Sequence, residues 1–95
     1  SWFIDSTIPI YAMGAESAWR SRCRAFLARA AAENRPLHCS VAALQEVLFH
    51  RLRRRSREQA LAEVVALEAS VVAHDFSLDV WRSARQLVAE SDLRG

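Results

Sequence analysis

Apolar and polar positions along this chain change period several times, and each change marks an element. Trp2, Phe3 and Ile4 form a continuous bulky run, which suits a strand buried on both faces, with Asp5 at its carboxyl end. "STIPIYAMG" then has a hydroxyl residue followed by Pro9 and stops at Gly14, predicting a short helix capped by Ser6 or Thr7. In "ESAWRSRCRAFLARAAAENRP", Trp19, Cys23, Phe26, Leu27 and Ala30 recur at helical spacing, while Arg20, Arg24 and Glu33 fall outside that face. Asn34 and Pro36 end this second helix.

The short apolar stretch "PLHCS" lies between breakers and predicts a second strand, with Ser40 capping the helix that follows. In "SVAALQEVLFHRLRRR" the inward stripe is Val41, Leu44, Leu48 and Leu52. Ser56 and Gln59 make a capping box for a further helix whose apolar side is Leu61, Val64, Val65 and Leu67. "SVVAHD" is β-branched at its centre and predicts a third strand. Ser77 and Asp79 begin a last helix through Glu90, packed through Val80, Trp81, Ala84, Leu87 and Val88. Strands separated by helices imply an α/β domain with a mainly parallel sheet flanked by helices.

Ligands bind at the carboxyl edge of such sheets, so an acid there is either a helix cap or part of a site. Asp5 stands at that edge, and Glu46 lies early in the helix that starts from it, off the Leu44, Leu48 and Leu52 stripe and beside Ala42, Ala43, Phe49 and His50. Two acids meeting there repel unless a cation lies between them, and a hard oxygen site favours Mg²⁺ or Mn²⁺. The residues alone leave a plainer alternative for each: Asp5 as a turn or cap residue, Glu46 as a solvated residue pairing with His50.

Composition narrows the classes. Ninety-five residues with 52% apolar content make one domain, here residues 1–95. There is no apolar run of about 18 residues and nothing like a signal peptide, so the expectation is a soluble cytoplasmic protein with no membrane partner. A net charge of +2 does not by itself identify a nucleic-acid binder. Cys23 and Cys39 have no metal-ligand spacing and read as reduced thiols.

"FIDSTIPIYAMG" followed by "HCSVAALQEVLFH" resembles the PIN domain, in particular the small toxin ribonucleases of the VapC type, and "SVVAHDFSLDVWRSARQLVAE" is similar to that family's third strand and following helix. The resemblance implies a three-layer PIN-like fold and a Mg²⁺-dependent (or Mn²⁺-dependent) endoribonuclease of a toxin–antitoxin system. It makes Asp5 a metal ligand, Glu46 a ligand directly or through water, and Ser6 a support that orients Asp5 or a metal-bound water. Helix capping is the alternative role for Ser6. It further implies a cognate antitoxin protein, a tRNA or rRNA substrate and a homodimer. The family pattern calls for another Asp after the last helix, with one or two further strands beside the first. Asp92 in "ESDLRG" reads as a helix end and does not fill that place, so a chain cut short of the C-terminal acidic motif is expected, possessing two of the acids and a first strand at an exposed edge.

"HRLRRRSR" concentrates Arg51, Arg53, Arg54, Arg55 and Arg57, and Arg53, Arg54 and Arg55 are candidates for RNA phosphate contact; the alternative is a solvated helix end suited to the helix dipole. His38, His50 and His74 lack metal-ligand spacing, and His74 with Asp75 reads as a turn or cap near the same sheet edge. Trp2, Trp19 and Trp81 all fall on predicted buried faces. The apolar surface around Phe26, Leu61 and Val65 exceeds what a small sheet covers, which predicts a partner surface. Two rival functions remain at this level: a non-catalytic PIN-like interaction module, and a simple RNA-binding domain using the Arg cluster.

Overall fold

The structure is a computed structural model that describes residues 2–75 and 77–90. Its elements are β1 (Trp2–Phe3), α1 (Thr7–Met13), α2 (Ala18–Ala32), β2 (Leu37–Ser40), α3 (Val41–Leu52), α4 (Arg57–Ser70), β3 (Val72–His74) and α5 (Leu78–Ala89). The strands form a parallel sheet in the order β1-β2-β3, with Phe3 opposite His38 and Ser40 opposite His74. The architecture is the α/β arrangement that the alternation of strand and helix patterns predicts.

Local chemistry sets the boundaries. Ser40 accepts from the Ala43 N–H at 3.0 Å, and Ser77 accepts from the Val80 N–H at 3.3 Å. Ser56 and Gln59 form the reciprocal capping box at the start of α4. At the end of α2 the Arg35 N–H bonds the Ala30 carbonyl and the Asn34 N–H bonds that of Ala31. Asn34 has φ 53°, the left-handed turn that Asn tolerates better than most residues, so the chain reverses into β2 there.

Strand alternation puts Trp2, Ile4, Leu37 and Cys39 on one face. Ala30, Ala43 and Leu44 complete the buried core there, with Ile8, Phe26, Leu27 and Leu67 packed against it. Both crossovers, β1 to β2 and β2 to β3, step the same way along a parallel sheet, and right-handed connections then place α1 to α4 together. Trp2 stacks on Phe26 with ring centroids 4.9 Å apart, and the Arg35 guanidinium lies 4.7 Å from the Trp2 ring.

Several expected burials differ. Phe3 projects to the other face and is 60% exposed, so the first strand is not buried on both sides. In α3 the buried residues are Ala43, Leu44, Val47 and Arg51, while Val41 and Leu52 are exposed. The small side chain of Ala43 lets α3 approach the sheet closely, which turns its inward face toward the Ala43–Val47–Arg51 strip. In α4, Ala60 is buried and Leu61 and Val65 are exposed, matching the apolar excess read from the sequence. Trp19 lies in the open beside Tyr11, with Arg22 5.3 Å from its ring, and Trp81 is also exposed; neither belongs to the core. Trp81 sits on α5, which is solvent-exposed along its length among the described residues. The Cα radius of gyration is accordingly 15.7 Å, against about 12 Å for a compact chain of this size. Both cysteines are free, and burial pushes the Cys39 thiol up.

Candidate active site

Parallel strands bring the ends of β1, β2 and β3 to one edge, and the turns leaving that edge carry the candidate acids. β1 passes through buried Ile4 into Asp5, whose Oδ1 accepts the Thr7 N–H at 2.9 Å. Asp5 is therefore a turn residue that starts α1, and its second oxygen has no partner among the described residues. Cap and site are compatible here, because an ionised carboxylate has more acceptor positions than one N–H uses.

β2 ends at Ser40, which caps α3, and Glu46 follows in the second turn of that helix. The Ser6 hydroxyl donates to Glu46 Oε2 at 2.5 Å. Ser6 occupies the N-cap position of α1 without a side-chain capping bond, so it neither caps the helix nor orients Asp5; it fixes Glu46. This also sets aside the solvated Glu46–His50 pair as the role of Glu46. Asp5, Ser6, Thr7, Ser40, Ala43 and Glu46 line an open pocket of about 350 Å³. Neither Asp5 nor Glu46 is in an ion pair with a basic residue of the described chain. Two uncompensated carboxylates with free oxygens in one pocket make a hard, oxygen-rich environment suited to a small divalent cation. Among the described residues no group of three or more His, Cys, Asp or Glu side chains could hold a metal; the acids that share this pocket are Asp5 and Glu46. Asp92 lies outside the described residues.

The arginine cluster lies elsewhere. Glu46 is six residues from the end of α3 at Leu52, about 9 Å of helix, and Arg54 lies past that end. Arg51 is buried and gives its Nε–H to Glu63 at 2.7 Å, while Arg55 gives its own to the other Glu63 oxygen at 2.8 Å. Burial works against ionisation of Glu63, but the hydrogen bonds from Arg55 and Arg51, and their charges, hold its carboxyl below the usual range. Arg54 donates to the His50 carbonyl at 3.1 Å and so closes the end of α3, with Arg53 as the cap residue. Two of these arginines thus fasten α3 to α4.

His74 is not a turn or cap residue: it pairs with His38 on the neighbouring strand, Nε2 to Nδ1 at 2.8 Å, and its ring lies 5.8 Å from that of Phe3. Strand alternation was the available signal, since His38 and His74 fall on one face once β2 and β3 are placed side by side. Among the described residues no helix is long and apolar enough to cross a membrane.

No family model matches the sequence, and no curated protein is significantly similar to it. Among solved structures, the Mycobacterium tuberculosis toxin VapC20, which cleaves the sarcin-ricin loop, superposes on the whole of this chain and is itself covered over 72% of its length. The TM-score is 0.64 at 21% sequence identity. That likeness establishes the fold.

Proposed function

From the PIN-like fold that this chain shares with VapC-type toxins, we propose that it acts as a metal-dependent endoribonuclease of the toxin type. The observation that carries the reading is the convergence of Asp5 and Glu46, with no basic partner, on one open pocket at the carboxyl edge of the sheet. The donor set fits Mg²⁺ or Mn²⁺, because Mg²⁺ keeps several waters and is commonly held by one or two carboxylates. Such a cation, when bound, supplies Lewis-acid polarisation of a phosphodiester and acidifies a water at neutral pH.

The chain's own residues do the rest. Asp5 offers the oxygen not committed to Thr7, and Glu46 offers the one not committed to Ser6. Ser6 holds Glu46 in place, and the Thr7 N–H does the same for Asp5, so both carboxylates are oriented before any ligand arrives. The small side chain of Ala43 keeps the pocket between them open.

The structural neighbour cleaves the sarcin-ricin loop, which supports a structured RNA, rRNA or tRNA, as the substrate class. The same reading supplies a cognate antitoxin as protein partner, and the exposed apolar side chains of α5, Leu78, Trp81 and Leu87 among them, support a protein-binding surface. Assembly as a homodimer belongs to this proposal as well. That same surface is what favours the second reading, a non-catalytic interaction module. Cleavage of a structured RNA with and without Mg²⁺, by the natural chain and by Asp5→Asn, separates the two. Metal-dependent cleavage lost in Asp5→Asn supports the nuclease; no cleavage under any condition leaves the module.

A further inference from the structure

At the far end of α1, beside Gly14, the side chains of Arg20, Arg24, Arg51 and Arg55 line a second pocket of about 410 Å³ together with Glu63. Four guanidinium groups face one carboxylate, leaving three positive charges in excess. The bonding of these groups is uneven. Arg51 and Arg55 each spend Nε–H on Glu63, and Arg24 gives its Nε–H to the Ala12 carbonyl at 2.8 Å. Their terminal nitrogens make no hydrogen bond among the described residues, and the Arg20 side chain makes none at all. A guanidinium held through Nε presents its terminal N–H groups in a fixed plane, the geometry that grips the two free oxygens of a phosphate. Arg51 is 6% exposed, yet it shares its single carboxylate with Arg55. A charge so far removed from water is costly when half-compensated, and an anion in the pocket would supply the missing half.

We propose that this pocket binds a backbone phosphate of the RNA, away from the bond that is cut; the inference rests on the ribonuclease reading above. α1 links the two places: Thr7 adjoins Asp5 at its start and Met13 adjoins the arginines at its end, about 9 Å along the helix axis. A single RNA strand can reach both. The excess of three charges fits a polyanion better than one carboxylate, and phosphate contacts of this kind position a nucleic acid without reading its sequence. Arg20 and Arg24 come from α2, far in sequence from the "HRLRRRSR" stretch, so the pocket arises from tertiary packing.

The test is anisotropy of a fluorescently labelled structured RNA with the whole chain in EDTA, between about 50 and 300 mM salt. Arg20→Glu removes no hydrogen bond made by the Arg20 side chain and serves as the first variant; Arg24→Gln is the second. The proposal expects about tenfold weaker binding for Arg20→Glu and a salt slope shallower by about one, with an unchanged thermal midpoint. Equal affinity and slope for both variants and the natural chain would overturn it. Polyglutamate competing as well as RNA at equal charge would also overturn it, in favour of an acidic protein ligand. Binding is read without metal, so its outcome is separate from the cleavage assay: arginine-dependent RNA binding with no cleavage would leave the pocket standing and remove the nuclease.

Discussion

Ser6 and Glu46 lie 40 positions apart and are joined by a single hydrogen bond from the Ser6 hydroxyl to Glu46 Oε2. Because that hydroxyl makes no capping bond, Ser6→Ala should leave α1 and the thermal midpoint nearly unchanged, without the ~1 kcal/mol that a lost cap costs. Glu46 would lose its orientation. Residues that orient a metal ligand typically change metal affinity or activity by about 10–100-fold. A Mg²⁺ titration of RNA cleavage should therefore shift to higher metal for Ser6→Ala, with Ser6→Thr closer to the natural chain. Identical titration curves for all three would remove Ser6 from the site.

Asp5 has two separable tasks, and two substitutions divide them. Asp5→Asn keeps an oxygen that can accept the Thr7 N–H, so folding survives, but it removes the charge a cation needs. Asp5→Ala removes both. Cleavage should be lost in either variant, whereas only Asp5→Ala should lower the thermal midpoint, by an amount typical of a local cap, ~1 kcal/mol. Circular dichroism melts beside the cleavage assay read this directly; equal melts for the two variants would mean the Asp5–Thr7 bond does not stabilise the helix start.

Element order and the meeting of Asp5 and Glu46 at one pocket were legible in the sequence because they depend on local chemistry and strand direction. Ser40, Ser56 and Ser77 cap the helices they precede, and Asn34 turns the chain where the periodicity ends. Asp5 and Glu46 could be placed at one edge because parallel strands share their carboxyl ends. What could not be read is whatever depends on which faces meet. The stripe that starts at Trp19 has the right spacing for burial, yet only its far end is covered: Ala30 is buried while Trp19 is exposed. Ser6 looked like a cap, and only the approach of α3 to the start of α1 diverts its hydroxyl to Glu46. "HRLRRRSR" looked like one patch, but Glu63, arriving on α4, binds two of its arginines and turns part of it into a structural clamp.

That clamp gives a stability prediction with a defined sign. Glu63→Gln leaves buried Arg51 without its counter-charge and should cost about 1–3 kcal/mol at neutral pH, the range for a buried donor left poorly satisfied. The folded state holds the Glu63 carboxyl below its ordinary value of 4.5. Its contribution is therefore whole above that value and declines as pH falls through the lower folded-state value. Urea midpoints of the natural chain and Glu63→Gln should converge as pH drops into the acid range. A gap that stays constant with pH would assign the effect to packing.

His50 should produce a second pH dependence, nearer neutrality. Its Nδ1 is buried with no hydrogen-bond partner among the described residues. Burial first, then the charges of Arg54, Arg51 and Arg53, push its pKa below the ordinary 6.5, so the folded protein keeps the ring neutral. The unfolded chain takes up the proton as pH falls through 6.5, and the folded chain does so only lower down. Stability is thus unaffected by this group above 6.5 and decreases below it, until the folded-state value is passed. The substitution His50→Leu isolates the effect. It removes the buried nitrogen and keeps the backbone carbonyl that Arg54 uses. The urea midpoint of His50→Leu should change less between neutral and mildly acid pH than that of the natural chain, and at neutral pH it should be at least as high. Parallel pH curves for the two proteins would mean that the ring escapes burial when it is protonated.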